Sequence, residues 1–246
     1  MTEPLSLALL FGVGIIAGFL NVIAGGGSTI VLPLLIFMGM DAGIANGTNR
    51  VGILMQNISA VTSFHQRDHS EFNQSFKLSL AALPGAIAGS LTAVRVSDEM
   101  FQQILAVVMI GVVITMLLPQ PKNNTADGTR ASWWVYPAMV GVGFYGGFIQ
   151  VGVGFLFMAS LYHLMHISLV RVNMHKVFIV LIYSLPTLLV FFLTDKVHWI
   201  PGIALGVGST LGGWWAAHVS VKKGDTFIRG LLIAAILLMA AKLLFW

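Results

Sequence analysis

Apolar runs close to the length of a membrane-crossing helix follow one another along almost the whole chain, and few charges interrupt them. A helix needs roughly 20 apolar residues to cross a hydrocarbon core about 30 Å thick. Ten apolar runs can be read, most of them near this length: Leu5–Ala24, Thr29–Met40, Gly43–Phe64, Phe76–Val94 and Met100–Leu118, then Trp133–Val151, Val153–Met165, Leu169–Leu193, Trp199–Val219 and Phe227–Trp246. Charged residues make up 9% of the 246 positions, against about 25% in soluble domains, too few to coat a water-facing surface of this size. No alternation at a period of two runs through the chain, which argues against an outer-membrane barrel. There is no cysteine, so disulfides, thiolate metal sites and cysteine catalysis are excluded. The start, Met1-Thr2-Glu3-Pro4, lacks the basic region of a cleaved signal peptide. The net charge of +4 sits in short loops, a pattern of topology control rather than nucleic-acid binding.

The runs fall into two sets of five with the same order of lengths. Residues 1–118 form a first repeat, 119–132 a polar cytoplasmic linker rich in Asn, Pro and Lys, and 133–246 a second repeat. Residues match as well. Gly14, Gly18 and Asn21 lie over Gly143, Gly147 and Gln150, and Asn46 lies over Asn173. Arg50 and Lys176 follow with a one-residue slip; Gly85/Gly89 answer Gly208/Gly212, and Asp98 answers Asp225. Several matches in one order argue for an internal repeat, a common plan among transporters. The paired glycines have a plain structural reading, since they let helix backbones approach closely.

The run Ala24-Gly25-Gly26-Gly27-Ser28 breaks the first apolar stretch, because consecutive glycines do not hold a stable helix. The second run of each set is too short to cross a bilayer. The chain is therefore expected to stop at the glycines and return to the side it came from. Three full crossings then remain per half, an odd number, so the second half is inverted. The fold expected is an all-α polytopic membrane protein of two inverted-topology repeats, each a broken helical hairpin plus three transmembrane helices. Basic residues agree when the N-terminus is placed outside. Arg67, Lys77, Lys122, Arg130, Arg171, Lys222, Lys223 and Arg229 then face the cytoplasm, and Arg95, Lys196 and Lys242 face outward. The alternative is that the short segments do cross, in a tilted or locally thinned region.

Polar residues inside the apolar runs are few. Asn21 and the Gly25, Gly26, Gly27, Ser28 break form one group, where helix ends would aim free N–H groups and a positive dipole end at the middle of the protein. Ser28 is placed to cap a short helix beginning at Thr29. This is an anion cradle or a packing kink. Thr48, Asn49 and Arg50 form a second group, with Asn173, His175 and Lys176 as counterparts. A cation within a membrane segment is costly and normally faces the protein interior. Inversion would bring Arg50 and Lys176 toward each other near the midplane, where an anion would join them. The plain alternative is that both snorkel to opposite interfaces. Gln56, with Asn57 beside it, extends the Arg50 face, and Gln150 repeats the place of Asn21. His175 is a proton carrier or a hydrogen-bonded structural histidine. His163 and His166 share a helical face without a third ligand, so no metal site is expected. Tryptophans gather near segment ends, as interfacial anchors do.

The glycine-rich stretch from Gly14 to Pro33, followed by Ala45-Asn46-Gly47-Thr48-Asn49, resembles the sulfite-exporter TauE/SafE family of membrane permeases. The likeness covers nearly the whole chain. The second half carries a degenerate copy, with Gly152-Val153-Gly154 in place of the glycine run and no proline to match Pro33. The resemblance implies transport of small sulfur-containing or organic anions such as sulfite, sulfoacetate or related sulfonates.

The leading expectation is a secondary transporter, an exporter if it follows the family, of a small anion such as sulfite or an organosulfonate. It would work in the cytoplasmic (inner) membrane by alternating access around a midplane site between the repeats. A passive anion channel and a carrier of small carboxylates are the alternatives. An enzyme is not expected, since no nucleophile–base set is present, and a scaffold role fits poorly with so many polar breaks. No nucleotide motif points to ATP drive, and no cofactor is implied. The partners expected are the anion and the lipid bilayer, with a homodimer left open and no nucleic acid.

Overall fold

The computed structural model describes residues 3–68, 71–117 and 132–245, and every regular element among them is an α-helix. Of the linker expected at 119–132 only Ser132 is described. Lys122, Arg130, His69 and Trp246 lie outside the described residues, and for Asp225, Arg229 and Lys242 only the backbone is described. The helices are α1 (Pro4–Ile23), α2 (Ser28–Phe37), α3 (Ala42–His65), α4 (Phe72–Ala93), α5 (Asp98–Leu117), α6 (Val135–Phe148), α7 (Val153–Met165), α8 (Leu169–Leu193) and α9 (Trp199–Phe245). Gly224 leaves helical geometry at φ 68° and ψ −166°, so α9 is two helices meeting at a kink, where the ninth and tenth apolar runs meet. Asp225 follows that kink as Asp98 opens α5.

The helices α1, α4 and α8 are each long and apolar enough to cross a membrane by themselves. Large apolar side chains point outward, with Leu5, Phe37 and Leu193 between 70% and 86% exposed. Water would not tolerate such a surface in quantity, whereas lipid does. The α2 and α7 helices have 10 and 13 residues. At about 1.5 Å of rise per residue, neither matches a bilayer core about 30 Å thick.

Both short helices double back. The Ser132 amide, just before α6, donates to the carbonyl of Leu164 near the end of α7 at 2.8 Å, so the start of one helix meets the end of the other. In the first half Gly27 packs onto the Ala17 carbonyl and the Asn21 side chain, while Leu10 and Ala17 of α1 share a core cluster with Val31 and Leu35 of α2. The two breaks touch. Gly25, at φ +85°, lies against Gly154 so closely that a Cβ on either residue would run into the other's backbone. This is a place where only glycine fits, for its conformation as well as for space.

The rest of the packing follows one scheme twice. The α1 helix lies on α9, and α6 lies on α4; α3 packs on α9, and α8 on α4. Gly208 and Gly212 of α9 sit on the backbone of α1 between Phe11 and Phe19. Gly85 and Gly89 of α4 sit on the backbone of α6 between Val140 and Phe148. Lipid chains are as apolar as leucine, so helices here gain by close dispersion contact and interhelical hydrogen bonds rather than by leaving water. Ser59 and Ser63 of α3 supply such bonds, donating to the Thr210 and Trp214 carbonyls of α9 at 2.8 and 3.0 Å.

An ion pair ties the start of α4 to the first turn of α8. Arg171 grips Glu71 with two hydrogen bonds of 2.6 and 2.9 Å. The guanidinium holds the Glu71 carboxyl below the usual carboxylate range. A carboxyl lowered in the folded state stabilises above its ordinary value of about 4.3, and that contribution is lost as pH falls through the lowered folded value.

Three outcomes are expected. Single cysteines placed at Thr2 and Asp41, direct to read in a cysteine-free chain, label from the same side of the membrane; labelling from opposite sides would contradict the returning hairpin. Gly85→Leu forces α4 off α6 and lowers thermal stability in detergent by about 1–3 kcal/mol. Glu71→Gln removes the part of the melting-temperature loss seen in the parent protein on acidification below about pH 4.3.

Candidate functional site

Breaking a helix leaves its last carbonyls without partners and concentrates about half a negative charge there. The α1 helix ends this way at Asn21, Val22 and Ile23, and α6 ends so at Gly146, Gly147 and Phe148. Each end is met by side chains from the third helix of the other half. On α8, Lys176 donates to the carbonyls of Val22 at 2.7 Å and Asn21 at 3.2 Å, and Asn173 donates to that of Ile23 at 3.3 Å. On α3, Arg50 donates to the carbonyls of Gly147 at 2.5 Å and Gly146 at 3.5 Å, and Asn46 to that of Phe148 at 2.9 Å. The Asn-then-cation spacing seen twice in the sequence is thus a pair of caps exchanged between the halves.

Both cations are enclosed. Arg50 is 0% exposed and Lys176 is 2% exposed, so neither snorkels to an interface. All three ammonium donors of Lys176 find acceptors, the third being Asn173 Oδ1 at 2.8 Å. Arg50 stacks on Phe191, its Cζ 4.4 Å from the ring centre, and its Nε has no hydrogen-bond partner. No Asp or Glu is buried among the described residues.

The helix starts differ from expectation. The α2 helix begins at Ser28, with Gly27 at its N-cap and no side-chain cap. Ser28 therefore does not cap a helix starting at Thr29. Its hydroxyl accepts from Asn49 Nδ2 at 3.2 Å instead. The Thr29 hydroxyl and amide both turn to the Gly26 carbonyl, and the Ile30 amide turns to that of Gly27, so the glycine break satisfies part of its own helix end. The α7 helix follows Gln150 and Gly152, which both adopt positive φ.

Beside the touching breaks lies a small cavity with no more room than a water-sized guest needs. Asn21, Gln56, Asn57, Gln150 and Lys176 give it polar walls, with Ile53 and Val180 among the apolar ones. Asn21 donates to Gln56 Oε1 at 3.3 Å, and Asn57 donates to the Ile53 carbonyl at 2.7 Å. Both amide atoms of Gln150 are buried without a partner.

The residues singled out from sequence therefore separate into places. Asn21, Gln56, Gln150 and Lys176 share the cavity. Arg50 and Asn173 hold helix ends. Gly25, Gly26, Gly27, Ser28 and Asn49 form the first break and its brace. Two residues stand apart, near the starts of their helices. Thr48 accepts from the His198 amide at 3.0 Å, and His175 pairs with Ser75 at 2.8 Å, its Nε2 3.6 Å from Glu71. Sequence reasoning passed over Tyr183, which is fully buried on α8 with the Gln150 side chain alongside its hydroxyl and no hydrogen bond of normal geometry. The repeat register held the signal, since setting Asn46 over Asn173 also sets Gln56 over Tyr183.

Comparison with known proteins gives a uniform answer. The model of the family described as sulfite exporter TauE/SafE matches residues 10–243. The chain is 30% identical to the probable membrane transporter protein YfcA of Escherichia coli (strain K12) over all of this chain and 92% of that protein. It is 28% identical to the probable membrane transporter protein ORF9 of a Sinorhizobium species, covering 97% of this chain and 92% of the relative. A probable membrane transporter protein of Haemophilus influenzae is 26% identical, covering 97% and 94%. No solved structure matches. A helical chain with membrane-length apolar spans and these relatives is a membrane transporter rather than an enzyme, and it belongs to the sulfite exporter TauE/SafE family.

Proposed function

We propose that the chain is a multi-pass secondary transporter of the cytoplasmic membrane that carries a small anion, such as sulfite or an organosulfonate, outward by alternating access. The observation that carries this reading is electrostatic. Two cations are buried at the centre, and no buried carboxylate among the described residues answers them. The four helix ends at the breaks, two negative and two positive, offset one another. What remains is positive charge in a low-dielectric setting, and an anion supplies the balance. The family's name points to sulfite as the cargo.

The mechanism rests on two repeats, 1–118 and 133–246, inverted with respect to each other. The duplicated packing scheme and the exchanged caps support that relation. The cavity holds only a water-sized guest, so loading requires the two hairpins to part. An incoming oxyanion competes with the carbonyls of Asn21 and Val22 for Lys176, and with those of Gly146 and Gly147 for Arg50. Trading those hydrogen bonds for the anion loosens the tie between halves. Rocking about the glycine contact then opens the cavity to one side or the other.

Proteoliposomes containing the purified protein are expected to take up labelled sulfite or small sulfonates saturably and to show counterflow, which a passive channel does not. Lys176→Ala and Arg50→Ala are each expected to lower uptake at least about tenfold when the folded protein in the vesicles is matched. Undiminished rates in both variants would remove the paired cations from the binding site. Faster flux of a small carboxylate than of sulfite would move the cargo to that class.

A further inference from the structure

The polar atoms left unpaired in the interior are unevenly shared between the two halves. Asn21 and Gln56, at the end of α1 and on α3, hydrogen-bond each other. Their counterparts by the repeat register are Gln150, at the end of α6, and Tyr183, on α8. This second pair does not close on itself. Gln150 Nε2 and Oε1 and the Tyr183 hydroxyl are buried and make no hydrogen bond of normal geometry, although the Gln150 side chain lies alongside the hydroxyl. Arg50 Nε is buried and unpartnered too. The three side chains gather at one place. The Tyr183 hydroxyl lies against Gly146, whose carbonyl accepts from Arg50 Nη1, and Gln150 follows within a turn of chain.

Leaving one such group unpaired in an apolar interior is costly, and leaving three together is a sign that something absent completes them. The unpaired hydrogens are an O–H, an amide N–H₂ and one N–H of a guanidinium, a donor set that a multi-oxygen anion satisfies. Gln150 links this cluster to the cavity, because it lines the cavity wall that Asn21, Gln56 and Lys176 complete. We propose that Tyr183, Gln150 and Arg50 Nε form the recognition half of the anion site, which selects oxyanions, sulfite and sulfonates among them, over spherical halides. Resting on the transport reading above, this assigns selectivity to one half-site and leaves Asn21–Gln56 as its self-paired counterpart. The physical basis is directional. A hydroxyl and an amide on fixed helices reward separate acceptor atoms at set angles, whereas a halide gains mainly from charge.

The test is uptake into proteoliposomes of sulfite, a small alkylsulfonate and chloride by the parent protein and by Tyr183→Phe, with melting temperatures measured alongside. Loss of one hydrogen bond to a charged ligand raises KM for sulfite and the sulfonate by about 10- to 100-fold in Tyr183→Phe. Any chloride flux is unchanged, and the melting temperature does not fall. Where Tyr183→Phe does not fold, Gln150→Glu keeps the side-chain shape and is expected to abolish oxyanion uptake by repulsion. An unchanged KM in Tyr183→Phe overturns the proposal while the transport reading stands, since water alone would then satisfy the cluster. A KM raised for chloride and oxyanions alike overturns it as well. A parent protein that moves no oxyanion at all overturns both.

Discussion

A helix that stops inside an apolar protein interior must place its last carbonyls somewhere, and here a buried cation from the opposite half receives them. Lys176 closes α1, and Arg50 closes α6. Without those donors the ends of α1 and α6 would sit unpaired in an apolar interior, at several kcal/mol per group. Without the helix ends, the cations would be the costlier partners to bury. Each side makes the other tolerable. The breaks, the short returning helices and the Gly25–Gly154 contact all presuppose this exchange.

The arrangement also explains why the halves do not come apart into two domains. A cap made within one half would stabilise that half by itself. Because α3 caps α6 and α8 caps α1, neither half is satisfied alone. The glycine pairs of α4 and α9 then bring those helices into contact with α6 and α1, so the crossed caps and the small-residue seams act on the same two broken helices.

Much of this was legible in the chain. Run lengths gave the helices because a membrane span leaves a long, unmistakable apolar stretch, and Gly25-Gly26-Gly27 marked the break because glycine runs oppose helix. The match of Asn46 with Asn173 and of Arg50 with Lys176 pointed to interior cations, and burial of both excludes the snorkelling alternative. What those cations hold was not legible, since a backbone carbonyl looks the same at every position and only folding decides which ones are orphaned. The same limit applied to Ser28, whose hydroxyl suits a cap but is taken by Asn49, a partner remote in sequence. Tyr183 escaped notice because tyrosine reads as one more aromatic in an apolar run. The kink at Gly224 fell where the ninth and tenth runs meet, yet the one-residue break was too small to show as a loop.

The buried Arg50 and Lys176, with no buried Asp or Glu among the described residues, have an electrical consequence. In the transporter proposed above, the empty site is positive and the loaded site is closer to neutral. A membrane potential then acts on the empty form more than on the loaded one. One elementary charge moved through the whole field is worth about 2.3 kcal/mol per 100 mV, and a partial movement earns its share. With the cell interior negative, that force draws the vacant site toward the cytoplasm. The bias falls on the return step, before cargo binds, and it favours picking up anions from inside.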